Sequence, residues 1–155
     1  MSKQTGVAIG LVRSTEDPNG EGRVQLSFPW AGDNMQSAWA PVAMMLAGKD
    51  RGAWMMPEVD DEVLVAFEHG DFDHPFVVGF LWNGADKPPE TDVKNRIIKT
   101  PGGHQLRFED KDGAKKVIVK TDGGLTITMD DTQQSIEIKG GGRAVTMQSG
   151  QLKIT

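Results

Sequence analysis

The stretch DGGLTITMDDTQQSIEIKGGGRAVTMQSGQLKI, residues 122–154, decides the fold class. It holds the runs Leu125-Thr126-Ile127-Thr128-Met129, Ser135-Ile136-Glu137-Ile138-Lys139, Ala144-Val145-Thr146-Met147 and Leu152-Lys153-Ile154. Between them stand Asp130-Asp131, Gly140-Gly141-Gly142 and Ser149-Gly150. Alternation with period two sends every apolar side chain of a strand to one face, and the Gly, Asp and Ser clusters supply turn chemistry. Nothing in it has the 3.6-residue period of a helix, so the stretch reads as a succession of short strands.

The same texture extends upstream to Arg96. Ile97-Ile98-Lys99 leads through Pro101-Gly102-Gly103 to His104-Gln105-Leu106-Arg107-Phe108, and Lys111-Asp112-Gly113 leads to Val117-Ile118-Val119. These seven strand-like units stand about 8 to 12 residues apart, and each hides only one apolar stripe, so each needs partners to complete a core. Past residue 85 there is one Phe (Phe108) and no Trp, too little for an independent core in about 60 residues. Three intertwined copies would resolve this, each chain giving one wall of a prism whose apolar stripes meet at the axis. The expected trimer core is Val117, Val119, Leu125, Ile127, Ile136, Ile138, Val145, Met147, Leu152 and Ile154. A β-solenoid built by one chain is the rival, although its rungs repeat more strictly than these.

The N-terminal part has a different composition. All 4 Trp (Trp30, Trp39, Trp54, Trp82) and all but one of the 6 Phe precede residue 85, enough for a conventional core. Short apolar strands are expected at Val7–Arg13, Arg23–Phe28, Trp39–Leu46, Trp54–Met56, Glu62–Phe67 and Pro75–Trp82, parted by turns such as Asp17-Pro18-Asn19-Gly20 and Gly70-Asp71. That spacing predicts a small barrel or sandwich. The expected organisation is a barrel over residues 1–84, a polar, Pro-bearing linker over 85–95 and a β-needle over 96–155, all-β throughout.

Composition excludes several functions. Without cysteine there are no disulfides or thiolate metal sites. No apolar run reaches 18 residues and no charged-then-apolar leader stands at Met1–Gly10, so the expectation is a soluble protein without a cleaved signal. A net charge of −5, with its Lys and Arg interleaved among acids, opposes binding to phosphate backbones.

Particular residues carry a family resemblance: Gly22-Arg23-Val24, Phe28-Pro29-Trp30, Gly52 with Pro57-Glu58-Val59, Glu62 through Asp71, Pro75, Gly79, Leu81 to Gly84 and Lys87-Pro88-Pro89. Here the chain resembles the OB-fold domain of baseplate spike proteins, namely the phage baseplate assembly protein V family, type VI secretion VgrG and the spikes of related extracellular injection systems. The tail, opening with Arg96-Ile97-Ile98-Lys99-Thr100 and Gly103-His104, resembles the start of their triple-stranded β-helix, and the likeness covers about residues 6 to 155. It implies a homotrimeric central spike of a contractile injection machine, assembled in the cytoplasm and carried in a phage-tail-like particle or virion. A baseplate hub protein would hold it, and the target membrane would be touched transiently during puncture.

Large members carry a hub module before the OB domain, and some carry a lysozyme domain between barrel and needle, for which the interval Asn83–Arg96 is too short. Some short phage spikes hold iron in a terminal His-x-His. None of His69, His74 and His104 lies in the last 50 residues, so the resemblance implies a blunt end capped by a PAAR-type tip protein. Leu152, Ile154 and Thr155 would meet that cap.

Three further groups stand out. Glu68-His69-Gly70-Asp71-Phe72-Asp73-His74 has the content of a metal site, but Gly70-Asp71 reads as a turn whose Asp binds nearby amides. Glu58, Asp60, Asp61 and Glu62 read as a solvated loop in preference to a glycosidase pair. One Met of each pair, Met44-Met45 and Met55-Met56, is expected in the core and the other toward a neighbouring subunit or the hub. No catalytic, cofactor or metal residue is assigned. The alternative is an OB-fold module for oligosaccharide or oligonucleotide with a solenoid appendage.

Overall fold

The computed structural model describes residues 3–32 and 35–155, so residues 1, 2, 33 and 34 of the expected 1–84 barrel lie outside the described ones. The chain is all-β and divides into two compact units between Lys87 and Pro88. Among the described residues the one helix is a three-residue 3-10 turn, Glu68–Gly70, so no helix is long and apolar enough to cross a membrane.

The first unit is a curled five-stranded sheet. β1 (Val7–Ser14), β2 (Arg23–Ser27), β3 (Ala40–Pro41), β6 (Glu62–Phe67) and β7 (Pro75–Phe80) are ordered β3-β2-β1-β6-β7. Just past β3, Val42 forms a parallel bridge with Val77 of β7, and Ala43 N donates to Val77 O at 2.8 Å, which brings the two edges together. Alternation decides what lies inside: Val63, Val65 and Phe67 of β6 are buried while Glu62, Leu64 and Ala66 are partly exposed. With Val12, Val24, Leu26, Phe28, Ala40 and Val77 they form the core. Phe28 sits at its centre, with ring centroids 5.1 Å from Phe72, 5.6 Å from Trp30 and 5.8 Å from Phe67.

The loop from β1 to β2 is held by Asp17, whose side chain is only 4% exposed. It accepts from the backbone N–H of Asn19, Glu21 and Arg23 and pairs with the Arg23 guanidinium at 2.7 Å. The Arg23 partner, helped by those amides, holds the Asp17 carboxyl well below the usual carboxylate range.

Two expectations change here. Trp54–Met56, stopped by Pro57, is not a strand. The apolar run Trp39–Leu46 is not a strand beyond Ala40–Pro41: Pro41 offers no N–H to a ladder, and the chain leaves the barrel at Ala43. It returns at Pro57 after a short hairpin of β4 (Ala47–Gly48) and β5 (Arg51–Gly52). Met45 and Met55 are exposed on this arm, whereas Met44 and Met56 are half-buried, Met56 against the core.

The second unit is one seven-stranded antiparallel meander of β8 (Asn95–Lys99), β9 (Gln105–Glu109), β10 (Lys116–Lys120), β11 (Thr126–Asp130), β12 (Ser135–Gly140), β13 (Arg143–Gln148) and β14 (Gln151–Ile154). Each strand pairs with its neighbours in sequence, in the spatial order of the chain. A solenoid would stack its coils through parallel pairs, whereas every pair in this unit is antiparallel. The tight turns follow from composition. Gly141 (φ 58°) and Gly142 (φ 76°) join β12 to β13, because a two-residue hairpin of matching twist needs positive φ at both central positions. Ahead of β8, Glu90 ties the entry down: it accepts from Thr91 N–H (2.8 Å), Asp92 N–H (3.0 Å) and Asn95 Nδ2 (2.9 Å), and it meets Arg107 at 2.7 Å.

Candidate oligomer interface on the C-terminal sheet

The register of the meander aligns side chains into rows that cross all seven strands. One row runs Arg96, Phe108, Val117, Met129, Ile136, Met147, Leu152. A second, two residues along each strand and therefore on the same face, runs Ile98, Leu106, Val119, Ile127, Ile138, Val145, Ile154. Apart from Arg96 these two rows are apolar, and Arg143 of β13 stands at their margin on the same face. The row between them, on the opposite face, runs Ile97, Arg107, Ile118, Thr128, Glu137, Thr146, Lys153.

Nine of the ten residues expected in a trimer core sit in the two apolar rows, and Leu125, one step before β11, shares their parity. Ile98, Leu106, Phe108 and Met129 belong to the same rows and were not singled out. Their signal was present, since each alternates in its run, but only the register ties the early strands to the later ones. In the single chain the face is uncovered: Ile127 is 42% and Ile138 50% exposed. Val119, Leu125, Ile127, Ile138, Val145 and Ile154 line a shallow groove of 590 Å³. Leu152, Ile154 and Thr155 lie at the far edge of the meander, where β14 has one pairing partner; Thr155 also exchanges two backbone hydrogen bonds with Ala144.

The opposite face is closed by charge. Lys116 meets Asp130 at 3.0 Å, Arg107 meets Glu109 at 2.8 Å and Lys139 meets Glu137 at 2.9 Å. The Gln133 amide and then Lys116 lower the Asp130 carboxyl below its ordinary value. Chemically the sheet offers one apolar side and one charged side.

The acidic groups around Asp71 and Asp61 are occupied locally. Asp71 accepts from Asp73 N–H and meets His74 Nδ1 at 3.0 Å, so this carboxylate holds a turn in which His69 adopts φ 53°. Asp61 accepts from Glu58 N–H and Asp60 meets Arg13 at 3.0 Å. Among the described residues no group of three or more His, Asp or Glu converges on a common point.

Comparison with known proteins agrees with this division. Residues 8–82 match the model of the type VI secretion system/phage-baseplate injector OB domain, and residues 95–155 that of the phage baseplate V C-terminal trimerisation domain. The type VI secretion system spike protein VgrG5 of Pseudomonas aeruginosa is 35% identical over 129 residues, covering 75% of this chain and 16% of that protein. VgrG1b of the same organism is 28% identical over 152 residues, covering 84% and 20%. VgrG3 of Vibrio cholerae is 27% identical over 128 residues, covering 70% and 13%. The chain thus spans a fifth or less of the length of these curated relatives.

Proposed function

The chain belongs to the family of type VI secretion and phage-baseplate spike proteins, and on that premise we propose that it is a structural part of a central spike, working as a homotrimer joined through its C-terminal sheet. The observation that carries this reading is the pair of apolar rows. A seven-stranded sheet with one dry, uncovered face needs a cover, and three such sheets facing one axis cover each other. Completing the burial of a half-exposed Ile or Val yields about 1 kcal/mol at about 25 cal/mol per Å², so the face gains on the order of 10 kcal/mol per chain before the cost of association. The trimer core is then the set from Val117 to Ile154 named above, joined within that span by Met129 and extended upstream by Ile98, Leu106 and Phe108.

The work is mechanical and needs no catalytic group. Stiffness comes from the ladder of backbone hydrogen bonds around a dry centre, and the paired charges of the other face keep the shaft wetted. The barrel attaches the trimer to a baseplate hub, the β14 end with Leu152, Ile154 and Thr155 seats a PAAR-type tip protein, and contraction drives the assembly through a target envelope. Assembly takes place in the cytoplasm before incorporation into a phage-tail-like particle or secretion machine.

Light scattering, repeated in SDS at room temperature, tests the central point. The expected particle has about three chain masses and resists SDS; changing Ile127 and Ile138 together to Asp yields a monomer. A folded, unchanged trimer in that double variant, or a monomeric parent chain, sinks the proposal, and a monomer redirects attention to ligand binding by the barrel.

A further inference from the structure

The first unit leaves two separate apolar surfaces uncovered. One is the arm Ala43–Pro57, where Met45 is 84% and Trp54 77% exposed beside Leu46 and Met55. The other is the outer face of β1, β6 and β7. There Val7, Ala66 and Phe76 form one row and Ile9 with Leu64 the next, with Val78 at a bulge beside them. Apolar side chains left exposed together on a domain with its own complete core mark an interaction site.

Charge distinguishes the two. The arm turns at Lys49-Asp50-Arg51, and among the described residues neither Lys49 nor Arg51 makes an ion pair. The sheet face ends at the β6–β7 turn, where Glu68 and Asp73 are likewise without an ion pair. Residues 1–87 carry thirteen Asp and Glu against six Lys and Arg, so copies of this unit repel one another unless a basic element is set against an acidic one.

A closed three-membered ring requires each copy to contribute two different, complementary surfaces. We infer that the Ala43–Pro57 arm of one copy seats on the outer β1–β6–β7 face of the next, its Lys49-Arg51 turn toward Glu68 and Asp73, so that the three barrels close into a ring. This rests on the homotrimer reading and adds to it, because the trimerisation match begins at residue 95. A small contact suffices: joined to the trimerising sheet by a few residues, each barrel meets the next at an effective concentration in the millimolar range.

The absence of cysteine makes the test clean. The full chain carrying Met45→Cys and Val78→Cys, both surface positions, is treated with a short bis-maleimide. The expected product is covalent dimer and trimer on a denaturing gel, absent from either single variant. Lys49→Glu with Arg51→Glu in that background lowers the yield about fivefold or more, an effect that added salt imitates. A native trimer that gives only intrachain product, or a yield insensitive to the charge reversal, overturns the ring and leaves the spike reading intact. A chain that is monomeric before cross-linking overturns the homotrimer, and the ring with it.

Discussion

Glu90 illustrates how much one side chain can organise. The Asp92 amide, the Asn95 side chain and the Thr91 amide all donate to its carboxylate, and with the Arg107 guanidinium they lower its pKa from 4.5 to about 2. A carboxylate depressed on folding contributes stability that is complete above about 4.5 and is lost as the pH falls toward about 2. Glu90→Gln is therefore expected to melt at a lower temperature than the parent at pH 7, with the gap narrowing through that window. Melting curves at pH 7 and pH 3 measure it, and a gap independent of pH refutes the assignment. None of this was legible in the sequence, where residues 85–95 read as a polar linker. Asp17 is a similar case. Asp17-Pro18-Asn19-Gly20 announces a turn, but the reach of that carboxylate to Arg23, six residues on, leaves no local pattern.

At the scale of the element, alternation was enough for the C-terminal strands. All seven runs from Ile97 to Ile154 became strands, because period two and turn chemistry agree at every step. It failed at Trp39–Leu46, where an apolar run with a Pro inside it became an exposed arm; apolar content alone does not say whether a segment faces its own core or a neighbour's. The faces of the meander give a prediction of opposite sign to the Ile127 and Ile138 changes. Thr128 lies in the polar row between Ile118 and Glu137, so Thr128→Lys gains a cross-strand partner. It is expected to leave the oligomer intact and to alter stability by less than about 0.5 kcal/mol, read by light scattering and thermal melting. Loss of the oligomer would mean that the dry face had been assigned to the wrong side.

For the whole molecule, the organisation into two units has an energetic counterpart. Every buried core residue belongs to the barrel, and the second unit has none of its own. Emptying the barrel core should therefore leave association through the sheet untouched. Phe28→Ala, at a fully buried position among three aromatic rings, is expected to cost about 3–5 kcal/mol of barrel stability while the particle keeps its mass. Urea melting followed by tryptophan emission reads the first effect and light scattering the second; loss of both together would show that the units do not stand independently. The sequence shows the loss of Trp and of all but one Phe after residue 85, and the chain divides into two units between Lys87 and Pro88. The meander has a consequence in time as well as in space. Because each of its strands binds only the strand before and after it, the contact order of this segment is low, and strand pairing within a chain is local in sequence. On the homotrimer reading the apolar face is covered only when chains meet, so maturation should accelerate with protein concentration, and a cell that makes too little of the chain leaves that face exposed to proteases and to other chains.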